Sequence, residues 1–266
     1  MEITSTEAYV ECPDGMKMTA YVSRPNGAAK LPGIIIIHEA WGLNDQIKGV
    51  ARRYAQQGFV ALAPHLFSRH GVMTEGNVEG AMRAMFSVPP AKRNDPAAVK
   101  EAMNKMSATE RKVAEIFFLG REALEQTMIG DLLSCKDFLR DQSLVKGDRL
   151  GITGFCMGGG LAYQLSTLYP FGATVPFYGA NPKPIDSVAK ISGPVLGIYA
   201  GEDERINSEV PALVESMIRH RKSFELKVYK GVQHAFFNET RPVYDKAAAE
   251  DAWTRAVSFF EKHLMA

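Results

Sequence analysis

The sequence predicts an α/β fold: a doubly wound, mostly parallel sheet with helices on both faces and a helical insertion. Three observations predict it. Short β-branched runs alternate with stretches of helical spacing; the run Gly33-Ile-Ile-Ile-Ile-His38 is apolar without alternation, as a strand buried on both faces must be; and a glycine-flanked cysteine stands at one junction between strand and helix. With 266 residues, 46% of them hydrophobic and 23% charged, the chain can bury a sizeable core and reads as a single domain over 1–266.

In chain order, residues 18–24 alternate as a strand and 33–38 form the buried strand. Residues 45–57 carry Ile47, Val50, Ala51 and Tyr54 at helical spacing, stopped by Gly58, and 59–64 is the next buried strand. From 68 to about 128 the pattern lapses into several short helices, rich in charge and punctuated by Met73, Met82, Met85, Met103 and Met106, with breaks at Pro89-Pro90 and Pro96. This cap-like insertion is expected to cover the site, its methionines adapting to apolar ligands; the plainer alternative is that they pack the insertion onto the main domain. Alternation then resumes: helix 129–139, strand 149–155, helix 158–168, strands 173–178 and 194–200, helix 209–220, strand 224–229 and a closing helix 247–264.

Charge narrows the function. Lys and Arg number 31 against 30 Asp and Glu, so no long-range field favours nucleic acid or an anionic membrane surface. The longest apolar stretch, Ile34 to Ile37, cannot span a bilayer, and the early acidic residues do not resemble a signal peptide; a cytoplasmic location is expected. Three scattered cysteines, Cys12, Cys135 and Cys156, suit neither a disulfide framework nor a zinc site.

The chemistry is concentrated at Gly154-Phe155-Cys156-Met157-Gly158, between strand and helix. This is the nucleophile elbow of the α/β-hydrolase fold with cysteine in place of serine. The sharp turn strains the nucleophile's backbone and leaves no room for side chains two residues either side, while the helix N-terminus stabilises a thiolate. Cys12 and Cys135 lack that context and read as structural. In this fold the acid follows the nucleophile and the histidine follows the acid. His234, in the loop after strand 224–229, is the candidate base, ahead of His220 inside a helix and His263 at the chain's end. Glu202, Asp203 and Glu204 all follow strand 194–200 and compete for the acid's role, with Asp203 preferred.

From about residue 15 onward the chain resembles the dienelactone hydrolase, or carboxymethylenebutenolidase, family. The likeness rests on HEAWGLN after the first buried strand, GFCMGG at the elbow, PFYGA, AGEDE and HAFFNE. The resemblance implies a hydrolase of esters or lactones with Cys156 as nucleophile, Asp203 as acid and His234 as base. It further implies that Glu39 activates the thiol, pairing with it at rest and passing on its proton when substrate arrives. The fold's rule then places the oxyanion between the N–H groups of Met157 and Ala40. Trp41, Tyr178, Phe236, Asn238 and Arg241 are the candidate substrate contacts. Two departures stand out: Asn238 occupies the place where the archetype carries a carboxylate-gripping arginine, a role Arg241 could assume, and the insertion is longer than the family norm. The resemblance requires no metal or organic cofactor. The expected partner is a small-molecule ester or lactone, and homo-oligomerisation is left open. The same residues would serve a general carboxylesterase or thioesterase, or a ligand-binding protein on a hydrolase scaffold.

Overall fold

In the computed structural model, which describes every residue except 28, 93 and 94, the isoleucine run behaves as its composition requires. Ile35 and Ile37 enter one apolar layer and Ile34 and Ile36 the opposite one, all fully buried, so this strand is the middle of a sandwich with helices on both sides.

The elements are β1 (Ile3–Glu11), β2 (Lys17–Pro25), β3 (Leu31–Ile37), α1 (Asp45–Gln56), β4 (Val60–Pro64), α2 (Glu75–Phe86), α3 (Pro96–Asn104), α4 (Ala108–Ala114), α5 (Arg121–Arg140), β5 (Val145–Phe155), α6 (Met157–Ser166), β6 (Ala173–Phe177), β7 (Val195–Ala200), α7 (Glu204–Asn207), α8 (Val210–Arg219), β8 (Phe224–Tyr229) and α9 (Lys246–Phe260). The sheet has eight strands in the order β1-β2-β4-β3-β5-β6-β7-β8. β2 pairs antiparallel with β1 and β4; every other pairing is parallel. Apolar residues of α1 and α9 pack on one face of the sheet, those of α5, α6 and α8 on the other. Among the described residues no helix is long and apolar enough to cross a membrane.

Two differences from the sequence reading have physical causes. β1 was not expected: as an edge strand its residues are mostly exposed and polar, so it lacks the hydrophobic signal of the central strands. α5 begins at Arg121, eight residues before the expected start at 129. Its first turn is charged, and its buried positions, Leu124, Met128, Leu132, Cys135 and Leu139, continue one apolar stripe across that boundary. The short helices of the insertion thus end near Gly120. Met73, Met82, Met106 and Met128 are buried in the same core as Leu132 and Leu161, while Met85 and Met103 are partly buried against it. Cys12 and Cys135 are buried thiols in that core, and burial raises the pKa of both, that of Cys12 to about 11.

Candidate active site

β5 carries the chain to the sheet's carboxyl edge, and the reversal into α6 occurs in a single residue. Cys156 has φ 55° and ψ −113°, a conformation that costs a side-chain-bearing residue of order 1–3 kcal/mol and persists only when the surroundings enforce it. They do so through backbone-on-backbone packing. A Cβ on Gly154 would stand 2.1 Å from the Gly158 carbonyl oxygen, and one on Gly158 would stand 2.4 Å from that of Ile37. The Cys156 N–H donates to the Phe177 carbonyl at 3.0 Å, tying the turn to β6. Met157 is the first residue of α6, where a backbone N–H has no intrahelical acceptor. The thiol is partly exposed, unlike those of Cys12 and Cys135.

Beside it lies His234, in the loop after β8, with a side chain 27% exposed. Its Nδ1 bonds the Asp203 carboxylate. Its Nε2 is buried, and the Cys156 sulfur lies near enough to act on the charge of the ring. Burial works against a charged ring, but Asp203 and the neighbouring sulfur outweigh it and lift the imidazole pKa to about 10. Asp203 is 6% exposed; burial opposes its charge, yet the His234 contact holds its carboxyl below the usual range. Its other oxygen accepts from the Ile206 N–H at 3.3 Å, capping α7, so the carboxylate is fixed from two sides. Of the competing acids, Glu202 is exposed and accepts from the Gly231 N–H at 3.2 Å, and Glu204 is an exposed residue of α7.

The third part is the loop after β3. Glu39 is 3% exposed, and both its oxygens are engaged: Oε1 accepts from the Tyr178 hydroxyl at 3.2 Å and Oε2 from Asn238 Nδ2 at 2.5 Å. Burial raises its pKa against these donors. Tyr178 is itself strained, at φ 39°, and its ring lies against that of His234, centroids 4.9 Å apart. One polar chain therefore runs from Asn238 through Glu39 to Tyr178, whose ring abuts the imidazole. Sequence reasoning ranked Asn238 as a substrate contact; the structure shows it holding Glu39, with Oδ1 accepting from Thr240 at 2.7 Å. Phe236 is fully buried against Tyr178 and Tyr229, a support for the site, not part of its surface. Trp41 is partly exposed and carries the Arg241 guanidinium over its ring at 4.2 Å.

His38 was missed as a functional residue. It is fully buried; the Leu66 N–H donates to its Nε2 at 3.2 Å, so Nδ1 carries the proton and donates to the Glu39 carbonyl at 2.5 Å. Burial pushes its pKa down to about 3, keeping it neutral. It pins the loop bearing Glu39 and Ala40 to the chain after β4. The only sequence signal was a histidine ending an otherwise apolar run. Glu39, Gln46, Ile47, Val50, Phe155, Tyr178, Phe237 and Asn238 line a recess beside this loop that is too tight to admit a water molecule.

A partly exposed thiol on a strained turn, beside an imidazole oriented by a carboxylate, is the arrangement nucleophilic acyl transfer uses. No group of three ionisable side chains suited to a metal occurs among the described residues. Residues 18–264 match the model of the dienelactone hydrolase family. Among curated proteins, the chain is 44% identical to one named "Putative carboxymethylenebutenolidase" of Saccharolobus solfataricus, over 94% of this chain and 95% of that protein. It is 32% identical to the protein usf of Aquifex pyrophilus, over 94% and 96%. Among solved structures it superposes on one titled "Putative Dienelactone Hydrolase" from Klebsiella pneumoniae with a TM-score of 0.75, at 26% identity, covering 98% of this chain and all of that one.

Proposed function

Since the chain belongs to the dienelactone hydrolase family, we propose that it cleaves an ester or lactone through a covalent thioester on Cys156. The observation that carries this reading is the positive φ of Cys156 beside the His234–Asp203 pair.

As substrate enters, Glu39 takes up the Cys156 proton, and the thiolate so formed lies beside the His234 imidazolium. The sulfur attacks the substrate carbonyl carbon, and the oxyanion is received by the N–H groups of Met157 and Ala40. When the tetrahedral adduct collapses, His234 gives its proton to the departing alkoxide, which leaves as the alcohol or, from a lactone, remains as the hydroxyl end of the acyl chain. A water deprotonated by His234 then attacks the thioester, the acid is released, and the sulfur recovers the thiolate–imidazolium state. Asp203 keeps the ring in the tautomer that serves both steps. Glu39, buried and neutral-partnered, is suited to exchange a proton with the thiol as substrate enters. A general carboxylesterase or thioesterase would use the same cycle with a different acyl pocket.

The test is hydrolysis of 4-nitrophenyl acetate, with the enzyme quenched during turnover and mapped by mass spectrometry. An acetyl group on the peptide containing Cys156 is expected. Acetylation elsewhere, or steady hydrolysis with no acyl-enzyme and undiminished in Cys156→Ala, overturns the mechanism.

A further inference from the structure

The charge around Glu39 bears on which acyl groups the site accepts, an inference that rests on the esterase reading. Arg241 is the guanidinium whose charge acts on Glu39, and its backbone N–H donates to the Asn238 carbonyl at 3.0 Å. It is not available to a ligand. Nη1 donates to Glu79 at 2.6 Å and Nη2 to Glu75 at 3.4 Å, both on α2 of the insertion, while the guanidinium face covers Trp41. Nε is buried with no partner. Glu75 is fixed further by Asn44, which donates to the same carboxylate oxygen at 3.1 Å. One cation thus faces two carboxylates on α2. Asn238, in contact with Glu39, supplies a neutral donor. Two α2 carboxylates therefore outnumber the one guanidinium they hold, and that guanidinium, stacked on Trp41, is already neutralised.

We propose that this site selects esters or lactones whose acyl part is uncharged, and that Glu79 sets the preference by holding Arg241 away from substrate. An acyl chain ending in a carboxylate would meet the α2 carboxylates across a partly desolvated rim, where like charges repel more strongly than in water. Releasing Arg241 should reverse part of that penalty, because a freed guanidinium can grip a carboxylate with two parallel hydrogen bonds.

The experiment compares kcat/KM for 4-nitrophenyl pentanoate and mono-4-nitrophenyl glutarate, acyl chains of equal carbon number differing in a terminal carboxylate, with each spontaneous rate subtracted. The native enzyme is expected to favour the pentanoate by about tenfold or more, equivalent to about 1.4 kcal/mol. Glu79→Gln should keep pentanoate turnover within about twofold and lower the KM for the glutarate so that the ratio narrows at least about threefold. Adding Arg241→Gln should remove that gain. Equal or better use of the glutarate by the native enzyme, or a ratio unmoved by Glu79→Gln, overturns the proposal while leaving the esterase reading intact. Hydrolysis of 4-nitrophenyl acetate without hydrolysis of either longer ester also overturns it, because chain length and not charge would then select. Inertness toward all three esters defeats the esterase reading itself, and this inference with it.

Discussion

At the turn between β5 and α6, a Cβ on Gly154 would stand 2.1 Å from a backbone oxygen, whereas in α2 of the insertion a Cβ on Gly80 would stand 1.7 Å from the carboxylate end of Glu110. The shorter distance is the less restrictive one. A glutamate tip can swing aside; a carbonyl in the closely packed turn between sheet and helix cannot. The elbow is therefore built from main chain, with the sulfur's position determined to within the stiffness of the backbone. The insertion is built from side chains: methionines in the core beneath and the Arg241–Glu75–Glu79 cluster at the rim. Chemistry that needs fixed geometry sits on the first, and contacts that can be re-formed sit on the second.

The largest effect should come from the elbow's own side chain. Cys156→Ala is expected to lower ester hydrolysis by about a thousandfold or more, as losing a covalent nucleophile does. Rapid iodoacetamide labelling near neutral pH should vanish with it and persist in Cys12→Ala and Cys135→Ala, whose thiols are buried with raised pKa values. A Cys156→Ala protein of near-native activity would break the assignment of function to the turn.

Next is Asp203→Asn, with an expected loss of about a hundredfold in kcat/KM as the ring loses its orienting charge. Glu202→Gln and Glu204→Gln should stay within about threefold, since neither touches His234. Stability supplies an independent readout. The His234 pKa is raised from 6.5 to about 10 in the folded protein, so its contribution is complete below 6.5 and lost as pH rises toward 10. The Asp203 pKa is lowered from 3.8, so its contribution is complete above that value and lost as pH falls through the depressed one. The stability advantage of the native protein over Asp203→Asn should therefore be widest between about pH 4 and 6.5 and shrink on both sides. Asn still caps α7, which isolates the charge. A flat difference from pH 4 to 10 would mean the pair is not ionised as described.

The glycines test the comparison directly. Gly154→Ala should destabilise by about 3 kcal/mol or more in urea unfolding, because the clash is with backbone. Gly80→Ala should change stability by less than about 1 kcal/mol, the better helix propensity of Ala offsetting a weakened Ser107–Glu110 capping box. Equal costs would mean the insertion is as rigid as the elbow. The smallest expected effect is in dynamics. If the insertion closes as a lid, covalent modification of Cys156 by a bulky acyl analogue should slow amide exchange across its described residues from 68 to 120. Protection confined to the loops around Glu39 and His234 would leave it as scaffold.

Much of this was legible in the chain because it is local. The Ile34–Ile37 run announces a strand buried on both faces by composition alone, and GFCMG announces the elbow because only glycine leaves room for it; both follow from residues adjacent in sequence. What lies on separate elements was legible only in part. Chain order brought Asp203 and His234 forward as candidates, but three adjacent acids cannot be ranked by spacing, and it took the fold to bring Asp203 onto Nδ1 of His234 while Glu202 turned to Gly231. The polar β1 was decided by edge pairing that no local pattern encodes, whereas the apolar stripe of α5 from Leu124 onward was present in the sequence behind a charged first turn. Asn238 and Glu39 meet across 199 positions of chain, and Arg241 and Glu79 across 162. Such pairs carry no periodicity. Their meaning comes from the through-space distance at which a hydrogen bond or charge acts, which only the tertiary structure sets.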